Sequence, residues 1–403
     1  LIEHIVENRA RAIPGVGMYG ASFGSPGRWG QVLQEKHRSA SGGTFCTGLA
    51  TGGPGFYMEL KPVFRYINHS MKFEPSYIAL FRSGELQIRA DRLMGMLQEC
   101  TLCSHNCRNN RLKNELARCH SGYMPIVSSS CMHFGEEPAL GGIAGVGNIF
   151  FANCTMQCMY CQNHQISQNW KAEQKNEVSI ESLAEMMLEL QKSGARAIGL
   201  VTPAHFVPQI VQALQIAVSC GLRLSLIYNT NAFDSVEVLS LLDGIIDIYL
   251  PDLKYGDDEF AFKYSGVHSY TEIAHAAIAE MYRQVGAVLV TDENDLINRG
   301  LVIRHLVLPN DLAMSKDVLC WIAEKLDARV TVSVMAQYFP AHKAAAIDLL
   351  SRKLREREYD NVLAMMERLG LHNGWTQEFD SSDYYQPNFS NKESPFATAR
   401  RTA

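Results

Sequence analysis

The chain has 403 residues, 47% of them hydrophobic and 20% charged, a balance that supports a large apolar core and excludes wholesale disorder. Its formal net charge of −5 supplies no basic field for a nucleic-acid partner. No apolar run approaches the ~18 residues of a membrane-spanning helix, so a cytoplasmic protein with neither nucleic-acid nor membrane partners is expected.

Residues 1–75 read as a loop-rich or disordered extension, with twelve glycines between Gly15 and Gly55 and no sustained helical or strand period. The segment is poor in acids and carries Arg9, Arg11, Arg28, Lys36 and Arg38, so organelle targeting stands as the alternative to a cytoplasmic location. Residues 76–146 form the next unit. Pro75 to Leu97 reads as a helix, followed by Cys100, Cys103, Cys107 and Cys119 among Arg108, Arg111, Lys113 and Arg118. Four soft ligands spaced Cys-x2-Cys-x3-Cys-x11-Cys suit a closed metal site, either structural zinc or a second iron–sulfur cluster.

Residues 147–340 show strands alternating with helices. Asn148 to Phe151 is a short buried strand. Ser179 then caps a helix with Leu183, Met186, Met187 and Leu190 on one face, and Gly194 stops it. Strands are expected at Ala197 to Thr202, Arg223 to Tyr228, Ile245 to Leu250, Leu301 to Leu308 and Val330 to Met335. Helices between them start at Pro208, Ser235, Tyr270 and Ser315. Such alternation implies a parallel sheet with right-handed crossovers and chemistry at the carboxyl ends of the strands. Those ends carry Thr202, His205, Asn229, Asp252, Lys254 and Gln337, with His305 inside the fifth strand. Residues 341–403 read as a helical extension and tail, in which Arg352 to Arg357 is an exposed helix face.

The eleven cysteines are unevenly spread, seven of them in two close sets. That distribution favours metal ligation in a reducing compartment over a disulfide framework, which belongs to small secreted chains. Cys46, Cys131, Cys220 and Cys320 stand alone and read as small apolar residues. The second set, Cys154, Cys158 and Cys161, has the spacing Cys-x3-Cys-x2-Cys directly after the first strand. Three thiolates on one loop reach three corners of a [4Fe-4S] cubane and leave one iron without a protein ligand, whereas ferredoxin clusters use four cysteines. The amino and carboxylate groups of S-adenosylmethionine (SAM) suit the open corner, and an electron passed to its sulfonium yields methionine and a carbon radical. Zinc, with His164 as fourth ligand, is the competing reading. Tyr160 is placed to cover the adenine. His133 with Glu136 and Glu137 is a candidate for substrate proton chemistry.

The Cys-x3-Cys-x-aromatic-Cys loop, the βα series and Leu250-Pro251-Asp252-Leu253-Lys254-Tyr255 resemble radical SAM proteins of the pyruvate formate-lyase activating enzyme type. The likeness is to a divergent subgroup with an N-terminal Cys-rich segment. It extends through Cys100 to Cys103, Asn110 to Leu112, His133 to Pro138, Cys161 to Asn163, Val201 to Phe206, Tyr228 to Thr230, Arg304 to Pro309 and Met335 to Tyr338. The resemblance implies an α/β fold, a partial (β/α)6 TIM-like barrel, with SAM across the strand ends. It places Lys254 on SAM, Asp252 near a monovalent cation and Asn229 near the ribose. It also implies an electron donor such as flavodoxin or ferredoxin, and a protein substrate whose glycine loses hydrogen, with a small metabolite as the alternative. Two departures stand out. Asn229-Thr230-Asn231-Ala232 replaces Asp-Thr-Asn-Gly, removing one carboxylate from the cation site, and Thr202-Pro203-Ala204-His205 replaces Gly-Gly-Glu-Pro, so the contact to the SAM amino group must differ. A non-catalytic protein stabilised by two metal sites is the reading from another class.

Overall fold

The fold is an α/β half-open barrel whose inner face changes from apolar at one end to polar at the other. The computed structural model describes residues 57–60, 73–383, 386–393 and 395–396, and all of them belong to one compact unit, Thr51–Ala403. Most of the expected Gly-rich extension, with its basic residues and Cys46, lies outside the described residues. Its exceptions are β1 (Tyr57–Leu60) and residues 73–75.

The helix expected from Pro75 to Leu97 is two helices, α1 (Tyr77–Ser83) and α2 (Glu85–Gly95). They are separated at Gly84, whose φ of 80° ends the first. After the Cys-rich segment, β2 (Val127–His133) runs antiparallel to β3 (Val146–Phe151). The series continues with α3 (Ile180–Lys192), β4 (Ala197–Val201), α4 (Val207–Ser219), β5 (Ser225–Thr230), α5 (Val236–Leu241) and β6 (Ile248–Pro251). It goes on through α6 (Asp258–Ser265), α7 (Tyr270–Val285), β7 (Val290–Thr291), β8 (Ile297–Leu306), α8 (Ser315–Trp321) and β9 (Thr331–Met335). Last come α9 (Glu356–Arg368) and β10 (Gly374–Gln377). The Ser179 hydroxyl accepts from the Ser182 N–H as the expected cap of α3, and Pro208 sits in the first turn of α4.

The strand order is β1-β10-β9-β8-β6-β5-β4-β3-β2, with β7 paired to β8. Each expected strand is present. β3, β4, β5, β6, β8, β9 and β10 run parallel, and the two ends of the sheet, β1 and β2, are antiparallel flaps. β10 lies within the stretch expected to be a helical extension and carries the parallel sheet one strand further. Its four residues are too short to read as a strand without a partner beside them.

Alternation along the strands separates two packing layers. Ile149, Phe151, Leu200, Leu226, Ile303 and Val332 join Leu183, Met187, Ile210 and Leu214 of the helices in the larger core. Val146, Ala197, Ile227, Ile248, Leu250 and Val302 form a smaller core with Trp375 and Leu140. This smaller core fills the barrel near the amino ends of its strands. On the same inner face, the next residues along are Asn148, Asn229, Asp252 and Arg304. Gly199, paired with Asn148 across β3 and β4, has no room for a side chain, because a Cβ would lie 1.9 Å from Asn148 Oδ1. Its hydrogen leaves Asn148 free to cross the strand and donate to Glu136 Oε1 at 2.8 Å. No described helix is long and apolar enough to cross a membrane.

Candidate functional site

A cleft of about 210 Å³ opens at the carboxyl ends of the parallel strands. Cys154, Cys158, Cys161, Tyr160 and Met156 line one side. Thr202, Asn229, Asn231, Asp252, Lys254 and Arg304 line the other, joined by His133 of β2, Phe150 of β3 and Glu136 from the connection between them.

The cysteine loop leaves β3 through Asn153, whose φ of 67° is a left-handed conformation that asparagine tolerates better than most residues. Its N–H is held by Ile166 O at 2.9 Å. Burial, with Cys158 and Cys161 beside it, pushes the Cys154 thiol up to about 12, and burial with Cys158 pushes Cys161 up to about 11. Burial also raises Cys158, although Lys254 opposes the rise. Each sulfur has a polar side chain within hydrogen-bond reach. Asn231 Nδ2 approaches Cys154 Sγ at 3.3 Å, Ser265 Oγ approaches Cys158 Sγ at 3.0 Å, and Ser167 Oγ lies 3.2 Å from Cys161 Sγ.

Three thiols, Cys158 buried and Cys154 and Cys161 half-buried, that resist ionisation yet each have a polar hydrogen-bonding group beside them fit a metal centre whose positive charge would hold them as thiolates. Among the described residues no three His, Cys, Asp or Glu side chains converge on a point that could hold one metal ion. His164, the fourth ligand of the zinc reading, does not face the sulfurs. Its ring stacks on His342 at 4.9 Å and its Nδ1 bonds Cys161 O at 3.1 Å.

Opposite the sulfurs, Lys254 Nζ donates to Asp252 Oδ2 at 2.7 Å, and Arg304 Nε donates to Asp252 Oδ1 at 2.9 Å. Burial alone would raise the Asp252 carboxyl, but the two cations hold it below its ordinary range. Arg304 also donates to Asn229 Oδ1 at 2.8 Å and faces Glu136 Oε2 at 3.5 Å. The result is a nearly dry wall of alternating charge facing the sulfurs, with positive and negative groups for the carboxylate and amino ends of a zwitterion. Tyr160 is buried and stands edge-on to Tyr255 at 6.3 Å. Thr202, at the end of β4, has a φ of 59° and donates its N–H to Asn229 O at 2.9 Å. A β-branched residue is strained there, as is common where backbone lines a functional cleft.

Two expected site residues lie elsewhere. His205 is not on the cleft. Its Nε2 donates to Ala152 O at 2.8 Å behind the strand ends, and burial pushes its pKa down to about 3. His305 faces the helices because it is one residue out of phase with Arg304 along β8. Its Nδ1 donates to Leu253 O at 2.7 Å and its Nε2 accepts from Ser315 Oγ at 2.9 Å. Burial pushes this imidazole down to about 4, so it is neutral. The inward residue is Arg304, which sequence reasoning passed over. A lone charge within Leu301-Val302-Ile303-Arg304-His305-Leu306 was the available signal. Ser265 and Phe396 were likewise missed, because each reaches the site from a distant element, and Ser167, only six residues after Cys161, was missed because a lone serine after the loop carries no signal of its own.

Cys100, Cys103 and Cys119 are buried and Cys107 is exposed. Burial pushes Cys103 up, with Cys119, Cys100 and Cys107 adding to the rise, so the four thiols share one neighbourhood. Their segment is fastened to the cluster loop. His105 Nε2 donates to Thr155 O at 2.6 Å, and Asn153 Nδ2 donates to His120 O at 3.2 Å. All ten described cysteines are free of disulfides.

Residues 148–296 match the family model of the radical SAM superfamily. The chain is 27% identical over 325 residues to the uncharacterized protein MJ0674 of Methanocaldococcus jannaschii, an alignment covering 78% of this chain and 89% of that one. Among solved structures it is similar to HydG, a maturase of the [FeFe]-hydrogenase, with a TM-score of 0.37 and 12% identity over 75% of this chain and 68% of that one. The matched stretch takes in the cysteine loop that follows β3 and the first part of the βα series behind it.

Proposed function

We propose that Cys154, Cys158 and Cys161 hold a [4Fe-4S] cluster and that Asn229, Asp252 and Lys254 hold SAM, with Tyr160 and Thr202 completing the cofactor pocket. When bound, the cluster and SAM supply reductive cleavage to methionine and a 5'-deoxyadenosyl radical able to abstract hydrogen from carbon. One observation carries this reading: the three sulfurs face the Asp252–Lys254 ion pair across a single cleft. The chain's own contribution is placement and shielding. Lys254 and Asp252 offer opposite charges to the two ends of the methionyl group, Arg304 fixes Asp252 and Asn229, and Met156, Tyr160, Leu306 and Met335 exclude water from the place where a radical must survive.

An external one-electron donor of the flavodoxin or ferredoxin class completes the system. The Cys100, Cys103, Cys107 and Cys119 set is read as a second metal site, zinc or iron–sulfur.

For the substrate, the resemblance to pyruvate formate-lyase activating enzymes supports hydrogen abstraction from a glycine of a protein partner. A small metabolite is favoured by a different observation. Pro387 and Phe396 line the cleft, Phe396 packs on His133 at 4.3 Å and Phe389 packs on Phe150 at 5.3 Å. The chain's own C-terminal strap therefore occupies part of the mouth that a polypeptide would need. Appearance of a glycyl radical on a partner protein would decide for the first reading.

The test of the whole is anaerobic reconstitution with iron and sulfide, then reduction in the presence of SAM. The expected products are 5'-deoxyadenosine and methionine, and Cys158→Ala should yield neither. Undiminished product from that variant would refute the assignment of the loop.

A further inference from the structure

The three sulfurs differ in what stands behind their hydrogen bonds. Asn231 divides its amide between Cys154 Sγ and Thr155 Oγ1, the latter at 3.0 Å. Ser167, beside Cys161, is half-buried. Ser265 is different: it is 1% exposed, and its Oγ lies 3.0 Å from Cys158 Sγ and 2.7 Å from Tyr255 Oη. A serine hydroxyl has one proton, and a metal-bound thiolate can only accept. If Ser265 donates to Cys158, its oxygen must accept from Tyr255, whose own hydroxyl proton is then committed to it.

The placement is built into the backbone. The last residues of α6 accept from the cluster loop, Gln157 N–H to Ser265 O at 3.2 Å and Met159 N–H to Tyr264 O at 2.8 Å. Ser265 is thus tied to the same loop that carries Cys158. Tyr255 is wholly buried, so water is not at hand to replace either hydroxyl.

We propose that Tyr255, Ser265 and Cys158 form a directed hydrogen-bond chain that raises the reduction potential of the cluster, with Ser265 as its principal positioning residue. The inference rests on the reading of Cys154, Cys158 and Cys161 as cluster ligands. Hydrogen bonds to cluster sulfurs stabilise the more negative, reduced state and so shift the potential upward. One electron from a flavodoxin-type or ferredoxin-type donor reduces the cluster, and no proton is transferred along the chain. Each hydroxyl polarises the next, so the Tyr255 bond strengthens the one from Ser265 to sulfur.

The experiment is a redox titration of the reconstituted full-length protein without SAM, following the electron paramagnetic resonance signal of the reduced cluster. In Ser265→Ala the ratio of reduced to oxidised cluster at a fixed potential should fall about tenfold, a shift of about 59 mV for a one-electron couple. Ser265→Thr, which keeps the hydroxyl, should restore most of it. Tyr255→Phe leaves the serine in place and should shift the ratio the same way by a smaller factor, about twofold to threefold. The double variant should match Ser265→Ala alone, because without the serine the tyrosine has no route to sulfur.

An intact cluster whose potential is unmoved in Ser265→Ala would overturn the proposal, as would full additivity of the two shifts. Tyr255→Phe carries the test should Ser265→Ala fail to fold. A wild-type protein that assembles no cluster on the three cysteines would instead overturn the functional reading beneath it.

Discussion

Replacing Arg304 by Met removes the guanidinium that joins three parts of the cleft while keeping an unbranched apolar stem in its place. The wild-type side chain donates to Asp252 at 2.9 Å and to Asn229 at 2.8 Å, and faces Glu136 at 3.5 Å. Asp252 and Arg304 are only 18% and 15% exposed in their side chains, so solvent screens them weakly. Removing one partner from a buried pair costs about 3–5 kcal/mol. Lys254 remains on Asp252 at 2.7 Å and keeps that carboxylate partly compensated, which places the expected loss near the lower end, about 3 kcal/mol. Urea unfolding of the variant measures it directly. Asp252 and Asn229 would also lose their common anchor, so SAM affinity by equilibrium binding should fall about tenfold, or about 1.4 kcal/mol. In the Arg304→Met and Asp252→Asn double variant the stability losses should fall short of additivity by at least 1 kcal/mol or so. Unchanged stability and unchanged SAM binding in Arg304→Met would refute the assignment of this residue to the wall of the site.

The neighbouring His305→Ala should also lose stability, about 2–3 kcal/mol, by leaving Leu253 O and Ser315 Oγ unpaired. SAM cleavage per folded molecule should stay unchanged, and a specific loss of cleavage would return His305 to the cleft. Asp234 gives a pH dependence. Burial pushes its carboxyl up to about 6, with the Thr230 and Tyr228 hydroxyls pulling the other way. Its folded pKa therefore lies above the unfolded value of 3.8, the native state holds the proton more tightly, and the group's contribution to stability declines as pH rises from about 4 to 6. The decline is complete above that window and amounts to about 3 kcal/mol at neutral pH. Asp234→Asn should accordingly gain on the wild type with rising pH in thermal melts from pH 4.5 to 7.5, and parallel curves would show that Asp234 does not titrate in this range.

Much of the architecture is legible in the chain because hydrophobic periodicity carries it. Leu183, Met187 and Leu190 mark one helix face, Ser179 and Gly194 mark its ends, and short apolar runs between such helices can only be buried parallel strands. The cysteine loop is legible for a similar reason, since its ligands lie within eight residues of one another and need no distant partner to be recognised. Strand ends were harder. Asn229 and Thr230 belong to β5 itself, and a shift of two residues along a strand leaves the inward face unchanged. That is why Asn229 was still placed correctly in the cleft.

Local patterning determined by itself the parallel α/β series, the order of its elements and the triad Cys154, Cys158 and Cys161. Tertiary structure alone decided that Arg304 rather than His305 points inward, because the facing of a strand is a property of its register with β6 and β9 and a one-residue slip reverses every side chain. It alone also brought Ser265 of α6 to Cys158, Phe396 to His133 and β10 to the edge of β9. Those contacts join residues tens to hundreds of positions apart, and hydrogen bonding and packing of that kind leave no periodic trace in the chain.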